Sequence, residues 1–188
     1  MPTEPPRYEI GDVGPGARVV QGENIVFVEA GAQVSRVPVP SEQAPKNYVD
    51  RPELAGPLLA YLLSDEPVQE GRAIISAVHG LGGIGKSTVA RWLVWRPEIK
   101  ERFRDGRIWV TLGNEPPDAI TKINDCVSQL DPTFKTKATV EAARADLAAL
   151  LQDSSVLFVI DDVCPGKSAE VAKALMVPSV RSRFLLTT

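Results

Sequence analysis

Cysteine and histidine are scarce in this chain: Cys126, Cys164 and His79 are the only ones among 188 residues. Two thiols are too few for a disulfide framework or a Cys/His zinc site, so both are expected to be reduced. His79 stands beside a glycine-rich stretch, where packing or hydrogen bonding is expected of it rather than catalysis. Runs of one character are missing too. No stretch approaches the roughly 18 apolar residues of a membrane span. No basic run exceeds two residues, and the formal net charge is −3, which argues against a nucleic-acid footprint. The start, Met1-Pro2-Thr3-Glu4-Pro5-Pro6, has neither the basic opening nor the apolar stretch of a secretion signal. These absences point to a cytoplasmic protein with no nucleic-acid partner and no membrane span. The length suffices for one domain of ordinary size with a real core.

Glycine, by contrast, is concentrated. Gly80-Leu81-Gly82-Gly83-Ile84-Gly85-Lys86-Ser87-Thr88 follows the apolar run Ala73-Ile74-Ile75-Ser76-Ala77-Val78. Gly80 and Gly85 frame four residues, and Lys86 and Ser87 come next, the spacing of a phosphate-binding loop. A triphosphate crowds many anionic oxygens into a small volume. Glycines let the backbone take positive φ and approach closely, so that successive N–H groups form an anion nest. A helix beginning near Gly85 adds its positive dipole end. Lys86 is expected to reach the β- and γ-phosphates, Ser87 to ligate Mg²⁺, and Thr88 to contact the α-phosphate.

A second pattern is Val156-Leu157-Phe158-Val159-Ile160-Asp161-Asp162. Five apolar residues read as a strand buried on both faces, closed by two carboxylates. Ligands of open α/β sheets bind at the carboxyl ends of strands. Asp161 is therefore the candidate to hold Mg²⁺ through water, and Asp162 to orient or deprotonate an attacking water.

The remaining organisation follows from periodicity. Strands are predicted at 73–78, 107–112, 156–160 and 183–188. Helices are predicted at 85–96, ending at Pro97, and at 118–130, 140–152 (capped by Thr139) and 167–176. A further helix carries Leu54, Leu58, Tyr61 and Leu62 on one stripe. It either begins at Pro52 and bends, or breaks between Gly56 and Pro57. Alternating strands and helices give an α/β fold with a parallel sheet wrapped by helices. Residues 1–46 read as a β-prone segment with a Pro-rich linker, and 47–188 as the nucleotide-binding part.

These stretches resemble the STAND class of signalling P-loop ATPases, in its NB-ARC-like branch. Besides the glycine-rich loop, the similarity rests on Tyr48-Val49-Asp50-Arg51-Pro52-Glu53-Leu54, Phe103-Arg104-Asp105-Gly106-Arg107-Ile108-Trp109-Val110 and Leu157-Phe158-Val159-Ile160-Asp161-Asp162-Val163. The resemblance covers about 47–188. It implies ATP/ADP and Mg²⁺ as cofactors, with Val49 and Arg51 near the adenine; Asp50 stands where the family usually has Gly. Strand 183–188 carries Thr187 and Thr188 of the family's Thr-Thr-Arg ending, and the chain stops there, so a fragment of a larger protein is expected. In the family, ADP holds a closed monomer and exchange for ATP permits self-association, with slow hydrolysis.

Val19 to Val28 is β-prone and carries Gln21, Gly22 and Asn24. It loosely resembles short amyloid signalling motifs, which would make 17–37 a site for an amyloid-like or effector partner. The other reading is a small hairpin or linker beside the ATPase. Two alternatives to the switch remain open as well. One is a different P-loop enzyme, a AAA-type ATPase or a kinase, with Arg181 and Arg183 read as finger candidates or, alternatively, as solvated surface residues. The other is a nucleotide-binding interaction module without turnover.

Overall fold

A computed structural model of the chain describes residues 37–41, 44–46, 48, 52–64 and 85–188, all within the unit Arg36–Thr188. The strand predicted at 73–78, His79, the loop residues Gly80 to Ile84, Val49, Arg51 and the β-prone segment lie outside the described residues.

The described elements are α1 (Pro52–Leu63), α2 (Lys86–Val94), α3 (Pro97–Arg102), β1 (Gly106–Gly113), α4 (Ala119–Leu130), α5 (Val140–Asp153), β2 (Val156–Val163), α6 (Lys167–Leu175) and β3 (Arg183–Leu186). The strands form a parallel sheet in the order β1-β2-β3. This is the α/β P-loop architecture that the alternation of elements predicts. Among the described residues no helix is long and apolar enough to cross a membrane.

Successive side chains of a strand point to opposite faces, and both faces of this sheet are covered. Ile108, Val110, Val156, Phe158, Ile160, Phe184 and Leu186 pack with Ile123, Leu147 and Leu175 from α4, α5 and α6. Leu157, Val159 and Leu185 face the other way, onto Leu62, Leu93 and Ile99 from α1, α2 and α3. The register that pairs Phe158 with Phe184 also stacks their rings, with centroids 5.0 Å apart. A central strand buried on both faces explains why 156–160 reads as an uninterrupted apolar run.

Caps fix several helix starts. Thr121 N–H donates to Asp118 Oδ1 at 3.0 Å, and Ala142 N–H to Thr139 Oγ1 at 3.2 Å, as predicted for Thr139. Helix α1 runs from Pro52 straight through Pro57, which settles the choice left open between a continuous and a broken helix. Pro57 lies in its second turn on the exposed side. The carbonyl left without an N–H partner there can therefore turn to water. Leu58 and Leu62 are buried as the stripe predicts, and Ala55 joins them.

Two expectations need correction. The helix predicted to reach residue 96 ends at Val94, and Pro97 starts a helix rather than stopping one. Proline is well suited to a first helical position, where no intrahelical N–H bond is required. Arg183 is no surface residue: it is fully buried in β3. Its guanidinium donates to the carbonyls of Ser64 (2.8 Å), Ser182 (2.9 Å) and Val180 (3.1 Å). A side chain so engaged cannot act as an arginine finger.

Arg183, like Arg107, Arg144 and Arg181 (which reaches Asp153 O at the end of α5 at 3.4 Å), supplies donors to a helix carboxyl end, where carbonyls lack intrahelical partners. It serves the carbonyl of Ser64, just past α1. Arg107 of β1 donates to Val94 O, the last residue of α2, at 2.9 Å. Arg144 of α5 donates to the carbonyls of Lys173, Ala174 and Met176 around the end of α6.

The outer edge of β1 begins under Pro38, whose carbonyl accepts the Arg107 N–H at 2.8 Å. A β-carbon on Gly106 would come within 2.7 Å of the Pro38 ring. Glycine there, at φ 157, permits the close approach.

Candidate functional site

The carboxyl edge of the sheet gathers the chemistry. Gly85 precedes α2 in a left-handed conformation, φ 82 and ψ 27, and no side chain caps the helix. A β-carbon there would meet only ordinary contacts with Thr88, so it is the backbone angle that calls for glycine. Gly85 has no side chain with which to cap the first N–H groups of α2, and a helix start of this kind suits an anion. Lys86, Ser87 and Thr88 open the helix and are half-buried. Val89, Ala90, Leu93 and Val94 bury its inner face, which fixes the rotation of that first turn.

Asp161 comes from the end of β2 and is 5% exposed. Ser87 Oγ donates to Asp161 Oδ1 at 2.7 Å across 74 residues of sequence. A buried carboxylate needs donors, and a second hydroxyl provides one: Thr187 Oγ1 also donates to Asp161 Oδ1, at 2.5 Å. The structure therefore brings Ser87 and Asp161, both singled out from sequence, into direct contact.

Asp162 differs from its neighbour. It is exposed and takes φ 59, the one positive φ outside glycine among the described residues. Its N–H donates to Thr187 Oγ1 at 3.0 Å. The backbone ladder continues around it, Thr187 N–H to Ile160 O at 3.0 Å and Val163 N–H to Thr187 O at 2.8 Å. Two adjacent aspartates thus diverge: Asp161 is turned into the sheet edge, and Asp162 is held at the surface. Such a non-glycine residue in the left-handed region invites a functional explanation.

Thr187 escaped the set of candidate site residues read from sequence. Two signals pointed to it: its place in the Thr-Thr ending that the resemblance singles out, and its position as a hydroxyl one residue past a buried apolar strand. Lys86 stands at the first position of α2, at the same edge of the sheet. Gly80, Leu81, Gly82, Gly83, Ile84, Val49 and Arg51 lie outside the described residues.

Comparison with known proteins agrees with this arrangement. The NB-ARC domain family matches residues 58–188. Among curated relatives from Arabidopsis thaliana, the probable disease resistance protein RF45 is 28% identical over 138 residues, 70% of this chain and 13% of that protein. The putative disease resistance RPP13-like protein 3 is 27% identical over 175 residues, 89% of this chain and 20% of that protein. The chain thus spans a fifth or less of the length of these relatives. With the family matched over most of the sequence and the hydroxyl–carboxylate contact formed at the sheet's carboxyl edge, this chain belongs to the NB-ARC family of nucleotide-binding P-loop domains.

Proposed function

We propose that this chain is the Mg²⁺-dependent, ATP/ADP-binding switch module of a STAND signalling protein, in which slow ATP hydrolysis is coupled to self-association of the full-length protein. The observation that carries this reading is the 2.7 Å contact between Ser87 Oγ and Asp161 Oδ1 beside the uncapped start of α2. A hydroxyl has one proton and two lone pairs. Ser87 commits its proton to Asp161 and keeps its lone pairs. Hydroxyl and carboxylate are hard oxygen donors of the kind magnesium prefers, so the residues fit the ion, and Ser87 and Asp161 would hold it. Bound Mg²⁺ supplies charge neutralisation for the β- and γ-phosphates.

The other assignments follow from the resemblance and the loop chemistry. The backbone amides from Gly80 to Gly85 cradle the phosphates, Lys86 balances their charge, and Thr88 contacts the α-phosphate. Val49 and Arg51 lie near the adenine. Asp162 orients the water. The names of the relatives, disease resistance proteins, support a signalling role. Residues 17–37 are proposed as the contact for an amyloid-like or effector partner, and the cytoplasm as the compartment.

Calorimetry of the full chain with ADP and with ATP, in the presence of MgCl₂, tests the reading. The wild-type chain should bind both, and Lys86→Ala should bind at least about tenfold more weakly. Asp162→Asn should keep binding and slow phosphate release about a hundredfold. A folded wild-type chain that gave no heat with adenine or guanine nucleotides would sink the proposal.

A further inference from the structure

Four groups converge on Thr187, two on its hydroxyl and two on its backbone. The hydroxyl donates to Asp161 Oδ1 and accepts the Asp162 N–H. The direction of this relay is not free. An ionised carboxylate can only accept, so the single hydroxyl proton must point to Asp161, which leaves a lone pair for the amide of Asp162. Meanwhile the residue's own backbone is already fixed twice, through its N–H to Ile160 O and through its carbonyl from Val163 N–H. The strand ending therefore has its place without the hydroxyl. The side chain is 6% exposed and bridges the two aspartates, one buried and one at the surface.

We propose that Thr187 is a positioning residue for the nucleotide site, setting the orientation of the Asp161 carboxylate and the left-handed backbone of Asp162 together. Asp161 Oδ1 is pinned from two sides, by Ser87 from the start of α2 and by Thr187 from the end of β3. The same hydroxyl restrains the one residue of this edge that departs from extended geometry without being glycine. A shift of the backbone at 187 would thus move both carboxylates at once. The proposal rests on the nucleotide reading above and deepens it, since it assigns the alignment of the Mg²⁺-holding carboxylate to a residue that acts through that carboxylate.

The test uses the full chain and its Thr187→Val and Thr187→Ser variants. Valine keeps the shape and removes the hydroxyl; serine keeps the hydroxyl. ADP affinity is measured by calorimetry with and without MgCl₂, and exchange of the Asp162 amide by NMR. In Thr187→Val the Mg²⁺-dependent gain in ADP affinity should fall about tenfold, the usual scale for losing a partner of a metal ligand. Affinity without Mg²⁺ should stay at the wild-type value. Thr187→Ser should match the wild type in both. The Asp162 amide should exchange slowly in the wild type and in Thr187→Ser, and fast in Thr187→Val.

The proposal is overturned if Thr187→Val keeps the full Mg²⁺-dependent gain, if Thr187→Ser loses as much as Thr187→Val, or if the wild-type Asp162 amide is unprotected. A Thr187→Val chain that did not fold would also overturn it, because the hydroxyl would then belong to the fold rather than to the site. Wild-type protein that bound no ADP would end the nucleotide reading instead, while the amide protection would still judge the clamp.

Discussion

Gly113, which pairs with Val163, and Asp162 of the neighbouring strand both turn left-handed, with φ 67 and 59, and a β-carbon on Gly113 would lie 3.7 Å from Asp162 Oδ2. Glycine takes this conformation without penalty, and aspartate takes it at a cost of about 1 kcal/mol. The fold could have been relieved by a second glycine, yet a carboxylate stands there.

Asp162→Gly should therefore leave stability unchanged or raise it by up to about 1 kcal/mol, the relief being offset in part by the greater freedom of glycine in the unfolded chain. Phosphate release should fall as far as in Asp162→Asn. Differential scanning fluorimetry and a phosphate-release assay check the two halves. A melting temperature several degrees lower would mean that this side chain supports the fold rather than the reaction.

Replacing Arg183 removes donors from three buried or half-buried carbonyls, those of Ser64, Ser182 and Val180. Each orphaned carbonyl carries a desolvation cost. Arg183→Met should destabilise by about 3 kcal/mol. Arg183→Lys should recover only part, because one ammonium cannot match the spread of a guanidinium fork. Urea denaturation midpoints read the difference.

How far this was legible beforehand differs between sheet and site. The apolar run at 156–160 and the helix at 140–152 announced themselves because their periods match the faces they bury: Ala143, Leu147 and Leu151 of α5 are all buried. The contact between Ser87 and Asp161 was foreshadowed separately at its two ends, Ser87 by the spacing of the glycine-rich stretch and Asp161 by its place at the carboxyl end of a buried strand. Pro97 was misread since proline both ends and begins helices, and only packing decides which. Arg183 was misread because a charged residue normally signals solvent. Here its partners include the carbonyl of Ser64, 119 residues earlier in the chain, and two carbonyls of its own turn. Thr187 was hidden for a similar reason: a hydroxyl acquires meaning only from what the fold sets beside it.

The two thiols should behave differently. Cys126 is buried in α4 and Cys164 is partly exposed, both free. Burial, aided by the nearby Asp125 charge, pushes the Cys126 thiol up to about 12. Iodoacetamide at mildly alkaline pH should label Cys164 and spare Cys126 until the chain unfolds, as peptide mass spectrometry would show. The same shift fixes a pH dependence. The folded state holds the Cys126 proton more tightly than the unfolded state does. Its contribution to stability is therefore complete below the ordinary thiol range and is lost as pH climbs towards about 12. Equal labelling of both cysteines in folded protein would contradict this burial.

The arginines that close α1, α2 and α6 come from β3, β1 and α5 in turn. The last turn of each of these helices cannot fray without detaching a side chain anchored in a different element. Peripheral loosening is thereby tied to loss of the interior. These helix ends should melt with the body of the domain as one cooperative unit, their terminal amides exchanging with solvent only when the whole opens.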